Sequence, residues 1–298
     1  MDKLILVAGA TGNLGERICR QLIKKDVRVR LVVREGTSPE KLDHLKGLDV
    51  EMVQADMSDL QQLTTICAGV TCVVSALAGL HDVIVLTQGN LLNAAIAAGV
   101  PRFIPSDFCT DFREIPAGEN RNFDLRKEFH ALLDKSPIHA TSIFNGAFAN
   151  ILRYNTPLFD NKKKSVAYYD GKENWKIDFT TMDDTAAFTA AAALDETSPR
   201  YLKIASFSVS PHDLVQLSSQ FGTESFKLLN MGSMEGFSAY NKAARAANPE
   251  GETELYPKWQ QAQYVYSMFF AHHSHLDNER YQGINWLSAE EVIKAIIN

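Results

Sequence analysis

Short aliphatic or β-branched runs alternate with segments of helical spacing through the first half of the chain. The runs fall at residues 4–7, 27–33, 50–53, 72–75 and 102–105. Between the first two, Leu14, Ile18 and Leu22 recur every fourth residue and share one helical face. Strands separated by roughly 20–30 residues with helices between them predict βαβ units and a parallel sheet. Right-handed crossovers then cover both faces of that sheet with helices. Further strands are expected at 139–144 and 201–204.

From about residue 147 the rhythm breaks. Lys162-Lys163-Lys164 and Asp170-Gly171-Lys172 have the composition of turns, joining short strands at 166–169 and 175–179. The rest reads as mostly helical and collects Tyr256, Trp259, Tyr264, Tyr266, Phe269 and Phe270. It is expected to form a smaller lobe over the carboxyl edge of the sheet, where ligands of such folds bind.

Composition narrows the function classes. The 298 residues include 45% hydrophobic side chains, ample for a core, and 30 basic against 36 acidic groups give a net charge of −6. A chain of this charge has no general attraction to phosphate backbones, so direct nucleic-acid binding is not expected. No stretch approaches the roughly 20 apolar residues of a membrane span, and the apolar segment 82–100 is broken by Gln88, Asn90 and Asn93. The run at 4–7 is short for a secretory signal and leads straight into a glycine motif. Cys19, Cys67, Cys72 and Cys109 show no CxxC spacing, which fits reduced thiols and a cytoplasmic protein.

The glycine motif, Gly9-Ala-Thr-Gly12-Asn-Leu-Gly15, carries the strongest chemical signal. It follows a buried-type strand and opens an amphipathic helix, the context in which such glycines bind a dinucleotide. Gly9 permits a tight turn, Gly12 lets backbone approach a pyrophosphate, and Gly15 allows helix and sheet to pack closely. The helix N-terminus adds free N–H donors and partial positive charge. The fold class is therefore α/β, a Rossmann-type doubly wound parallel sheet with a smaller C-terminal substrate lobe. Residues 1–150 are assigned to nucleotide binding, with 176–210 returning to that unit, and 151–298 mainly to the lobe.

The GxxGxxG spacing and the Thr-Gly-Asn-Leu-Gly wording resemble the extended and atypical short-chain dehydrogenase/reductase superfamily. Asp56 after the third strand, Ser75-Ala76-Leu77 after the fourth, and Ala97 through Phe108 around the fifth are similar to the NmrA-like and isoflavone-reductase-like branch. Asp170-Gly171-Lys172 and Asp183-Asp184-Thr185-Ala186 continue the likeness, which fades after about residue 220. The resemblance implies cofactor contacts from Gly9, Thr11, Gly12, Asn13, Leu14, Gly15, Arg34, Asp56, Met57, Ser75 and Ala76.

Arg34 and Glu35 place both signs of charge at the tip of the second strand. An acidic residue about 20 positions past the glycines reads an NAD ribose, and Glu35 meets that count. Arg34 directly ends the aliphatic run, where the resembling branch keeps a basic residue, and a guanidinium matches a 2′-phosphate. NADP(H) is favoured and NAD(H) remains open. Thr37 and Ser38 offer hydroxyls, although Ser38-Pro39 also reads as a helix start.

Catalytic residues are harder to assign. Tyr168 and Lys172 have the i, i+4 spacing of the usual dehydrogenase pair, but Asp170-Gly171 puts them in a turn instead of on a helix. The resembling branch implies one lysine on the helix after the fifth strand, and Arg126 stands there, with Lys127 one step on. A wheel whose apolar face runs through Leu125, Phe129, Leu132 and Leu133 turns Asn122 and Arg126 toward the cleft and Lys127 toward water. Arginine stays protonated, so Arg126 would bind an anion or pair with a carboxylate, not relay a proton. Arg126, Asp107 and Asn122 are the catalytic candidates, with His130 secondary and Asn145 and Gly146 expected along the cleft. His272, His273 and His275 lack the partners of a metal site. The expected function is an NADP(H)-dependent reductase of a small carbonyl or conjugated substrate. The alternative is a non-catalytic NAD(P) redox sensor that binds a protein partner.

Overall fold

The computed structural model describes residues 3–297. Six parallel strands form the main sheet: β1 (Leu4–Ala8), β2 (Arg28–Arg34), β3 (Glu51–Ala55), β4 (Cys72–Ser75), β5 (Arg102–Ile104) and β6 (His139–Ala140). Their order is β3-β2-β1-β4-β5-β6, so the winding direction reverses between β1 and β4. All five residues of β1 are buried, as a central parallel strand requires. Ile5 and Val7 point into one core layer and Leu6 and Ala8 into the other, the two-residue period of a strand sandwiched between helices.

Five helices connect these strands: α1 (Asn13–Ile23), α2 (Pro39–Leu42), α3 (Leu60–Cys67), α4 (Gln88–Ala97) and α5 (Arg121–Leu133). The sixth, α6 (Met182–Leu194), comes from later in the chain and packs on α1. Its buried Ala186, Ala190, Ala192 and Ala193 permit that close approach. Arg102, buried at the start of β5, donates to the carbonyls of Ala192 and Ala193 and to Ser198 Oγ, capping the end of α6.

The expected strand at 139–144 is two strands. After β6 the chain steps off the sheet, and β7 (Ser142–Phe144) pairs in parallel with a segment near residue 201. Next come β8 (Ala147–Phe148), β9 (Phe159–Asp160), β10 (Ser165–Tyr168) and β11 (Ile177–Thr180). The triple lysine does turn the chain, in the antiparallel connection from β9 to β10. The turn at Asp170-Gly171-Lys172, however, does not make β10 and β11 a hairpin. Residues 169–176 form two successive turns, closed by the bonds Lys172 N to Tyr169 O and Trp175 N to Lys172 O. That connection is longer than the hairpin loops that hold strands in register.

The remaining strands are β12 (Tyr201–Lys203), the partner of β7; β13 (Phe207–Val209), beside β11; and β14 (Lys227–Asn230), beside β10. Helices α7 (Pro211–Phe221), α8 (Met234–Ala246), α9 (Lys258–Phe270) and α10 (Ala289–Ile297) complete the chain. Their aromatic residues pack with β10 and β11 in a separate core around Phe159, Phe179, Phe226 and Phe269. Among the described residues, no helix is long and apolar enough to cross a membrane.

Candidate active site

The glycine turn lies at the carboxyl end of β1, on the reversal in strand order where ligands of doubly wound sheets bind. Gly9 has φ +87°, and its carbonyl accepts the Gly12 N–H at 3.0 Å. A Cβ on Gly9 would stand 2.5 Å from the Ala76 carbonyl, and one on Gly15 would stand 2.3 Å from the Gly9 carbonyl. Gly12 caps α1 without a side chain, and Gly12 and Asn13 are exposed, so the first-turn amides face outward. This is a cradle that side chains would fill, and it fits a pyrophosphate. Gly15→Ala is expected to destabilise the fold by about 1–3 kcal/mol through overpacking and to weaken nucleotide binding as well. Urea denaturation and a nucleotide titration on the same variant would check both effects.

Ala76 touches the turn from the loop after β4, while Ser75 is fully buried and its hydroxyl has no partner among the described residues. Asp56 is exposed after β3. Its Oδ1 accepts the Ser58 N–H and hydroxyl at 2.8 and 2.7 Å, which hold the carboxyl below the ordinary aspartate range. Met57 is buried beside it, its carbonyl accepting from Asn90. At the tip of β2, Arg34 and Glu35 are both exposed with no ion-pair partner among the described residues. The Thr37 hydroxyl turns back to the Arg34 carbonyl at 2.6 Å, and Ser38-Pro39 starts α2.

On the other side of the strand reversal, α5 carries a polar cluster. The buried positions of α5 are Arg121, Asn122, Phe123, Phe129, His130 and Leu133, whereas Leu132 is 48% exposed and Leu125 half-buried. The leucine-based wheel therefore misplaced the inner face. Asn122 and His130 turn inward because the rest of the fold supplies their hydrogen-bond partners. Lys127 does not face open water either. Its ammonium reaches the Ile115 carbonyl and lies 3.7 Å from Asp124.

Arg126 donates from Nε to the Ser106 carbonyl at 3.1 Å and from one terminal nitrogen to the Asn122 carbonyl at 2.9 Å. Ser106 follows β5, and its hydroxyl donates to the Leu77 carbonyl after β4, so Arg126 is tied to the carboxyl edge of the sheet. The loop before α9 and α9 itself lock onto the first turn of α5. The Arg121 guanidinium donates to the carbonyls of Gly251, Glu252, Glu254 and Leu255 and lies over the Trp259 ring. Asn120, the N-cap of α5, meets Gln260 and Ser267. This docking delivers Tyr264, whose hydroxyl accepts from Asn122 Nδ2 at 3.1 Å. Burial pushes the Tyr264 phenol up to about 12, against the pull of the Arg126 charge. Sequence reasoning noted Tyr264 only as one of several aromatics. The usable signal is the polar stripe Gln260, Gln263 and Ser267, set at helical spacing among the aromatic and aliphatic residues of α9.

Asp107 follows Ser106 but turns into the core. It is fully buried, with Oδ2 accepting from the His130 ring at 2.6 Å and the Ser142 hydroxyl at 2.7 Å. Arg200 in turn donates to Ser142 Oγ at 2.6 Å and to Asp134 at 2.8 Å. Asn145 is also fully buried, donating to Thr185 Oγ1 instead of lining a cleft, and a Cβ on Gly146 would meet the Asp178 carbonyl at 2.3 Å. Tyr168 lies on β10, while the Lys172 ammonium packs 3.4 Å from the centre of the Trp175 ring. The three late histidines diverge: His272 meets Trp175 edge-on, His273 is buried near Asp178, and His275 is exposed.

Strand order and glycine turn together define a Rossmann-type α/β protein of the dinucleotide-binding kind. The sequence model of the NmrA-like family matches residues 1–227, and the chain belongs to that family. Pinoresinol reductase 1 of Arabidopsis thaliana is 32% identical over 207 residues, 64% of this chain and 64% of that protein. The chain thus matches just under two thirds of that relative's length. Among solved structures, AtPrR2 with NADP+ and (+)pinoresinol has a TM-score of 0.80 at 24% identity, covering 100% of this chain and 99% of the other. The leucoanthocyanidin reductase–NADPH complex from Vitis vinifera has a TM-score of 0.81 at 20% identity, covering 99% of each. At these identities the likeness to the solved structures is one of fold.

Proposed function

We propose that this protein is an NADP(H)-dependent reductase acting on a small aromatic carbonyl or conjugated substrate. One observation carries the reading: the open glycine cradle and the exposed Arg34 lie on one side of the strand reversal, and the anchored Arg126 cation lies on the other. Doubly wound sheets bind the two halves of a dinucleotide across that reversal. The reductases among its relatives, and the NADP+ and NADPH in the related structures, support the same reading. A non-catalytic redox sensor is not favoured by this company.

In this reading residues 1–150, with 176–210, bind the nucleotide, and the later chain covers the substrate. The first-turn amides of α1 hold the pyrophosphate and Arg34 the 2′-phosphate, with Asp56, Met57, Ser75 and Ala76 beside them. The cofactor, when bound, supplies a hydride. Arg126 sets a fixed positive charge where negative charge develops on the substrate, and Asn122 orients the groups around it. Asp107 holds the loop after β5 from below.

Calorimetric titration with NADPH, NADP+, NADH and NAD+ tests the cofactor assignment, and NADPH oxidation with aromatic carbonyls tests turnover. Preference for the 2′-phosphorylated pair together with turnover is the expected result; no nucleotide binding would overturn the reading. Arg126→Ala is expected to lower turnover about tenfold through loss of one charge-assisted contact worth about 1.5 kcal/mol, measured by steady-state kinetics. Unchanged turnover would remove Arg126 from the site.

A further inference from the structure

We infer that Tyr264, from the last third of the chain, donates the proton that completes substrate reduction. The inference deepens the reductase reading and rests on it. Two candidates near the carboxyl edge are unsuited to the task. Arg126 does not release a proton at physiological pH, and the Asp107 carboxylate is fully buried against His130 and Ser142. Tyr264 is only half-buried and is joined through Asn122 to the backbone that Arg126 also holds.

The hydrogen bonds around Asn122 determine where the phenolic proton can go. Arg121 Nε can only donate, and it donates to Asn122 Oδ1 at 3.0 Å. The Leu255 carbonyl can only accept, and it accepts from Asn122 Nδ2 at 3.1 Å. The amide of Asn122 is therefore held in one orientation, and its second N–H points to Tyr264 Oη. The phenol oxygen is an acceptor in this contact. Its own proton has no acceptor among the described residues, so it is free for a ligand.

Ring packing keeps the group in place. Tyr264 meets Phe123 edge-on at 5.3 Å between ring centres, and the exposed Tyr256 lies 6.3 Å away. The two tyrosines form an aromatic wall over the polar cluster, suited to a flat aromatic substrate. A phenol is protonated at neutral pH, and burial raises this one further, to about 12, so Tyr264 keeps its proton until a stronger base, the developing alkoxide, takes it. As hydride reaches the carbonyl carbon, the carbon–oxygen π bond breaks. The oxygen takes the Tyr264 proton, and water reprotonates the phenolate that Arg126 stabilises. The balance is one ketone, one reduced nicotinamide and one solvent proton giving one alcohol and one oxidised nicotinamide.

The test compares wild type with Tyr264→Phe, using benzil as an aromatic diketone probe. Phenylalanine keeps the ring contact with Phe123 and removes only the hydroxyl. The variant is expected to lose about a hundredfold to ten-thousandfold in kcat, the usual contribution of a general acid. NADPH affinity should stay within twofold of wild type, and the urea midpoint should fall modestly, because Asn122 loses one acceptor and keeps the Leu255 carbonyl. Calorimetry of benzil with the NADP+-loaded protein gives a readout without turnover. Loss of one hydrogen-bond donor should weaken that binding about fivefold. Unchanged kcat in Tyr264→Phe overturns the inference. So does unchanged benzil affinity if wild type turns over nothing. Failure of wild type to bind NADPH overturns the reductase reading itself, a result that the nucleotide titration separates from the other two.

Discussion

Arg34→Ala is expected to weaken NADPH binding about a hundredfold while leaving NADH binding within twofold. The magnitude follows from charge-assisted hydrogen bonds worth about 1.5–3 kcal/mol each to a 2′-phosphate. Arg34 ends β2 fully available for that contact: it is exposed, and no carboxylate pairs with it among the described residues. Because the pair would form near the surface, raising salt should narrow the difference between wild type and variant. Glu35→Ala gives the complementary result. Removing a negative charge beside the phosphate should leave NADPH affinity unchanged or slightly improved. Calorimetry of both variants with both nucleotides checks the assignment. A parallel loss of NADH and NADPH in Arg34→Ala would show that the residue serves the loop and not the phosphate. Loss of NADH binding in Glu35→Ala, with NADPH unaffected by either change, would transfer the reading to an NAD ribose.

The sheet was legible because its strands are short, continuous apolar runs bounded by polar turns, and the 72–75 strand was found to the residue. The run at 139–144 was less legible, since periodicity cannot show that Thr141 steps between two pairings. In the glycine motif, meaning came from spacing and from position after β1, and the crowding at Gly9 and Gly15 has a direct steric cause. Helix α5 was misread for a different reason. Its wheel was oriented by leucines, but Arg121 and His130 are buried by partners as far off in sequence as Glu254 and Asp107. A polar residue with a distant partner looks like a surface residue until the partner is placed. Tyr264 was lost in the same way, because its role depends on docking of α9 against the N-terminal turn of α5.

Asp107→Ala is expected to destabilise the protein by about 2–5 kcal/mol, since two buried donors lose their acceptor at a cost of about 1–3 kcal/mol each. The deletion leaves His130 and the Ser142 hydroxyl without their shared acceptor, at a point where β5, α5 and β7 converge. Asp107→Asn keeps the shape and an acceptor oxygen, so its cost should be smaller, about 1–3 kcal/mol. The pH dependence follows from the same contacts. Burial alone would raise the Asp107 carboxyl, but the His130 ring, the Ser142 hydroxyl and the Arg126 charge outweigh it and hold the group below the ordinary aspartate range. A depressed folded-state pKa adds stability above the unfolded value of about 3.9 and loses it as pH falls through the folded value. Wild type should therefore lose stability on acidification below about pH 4 more steeply than Asp107→Asn, which has no such group to titrate. Asp134→Ala is the control. It removes the exposed partner of Arg200, and surface pairs of that kind contribute about 0–1 kcal/mol. Urea denaturation of the four proteins across that pH range measures both effects. Equal costs for Asp107→Ala and Asp134→Ala would mean that the buried pair does not hold this corner of the sheet together.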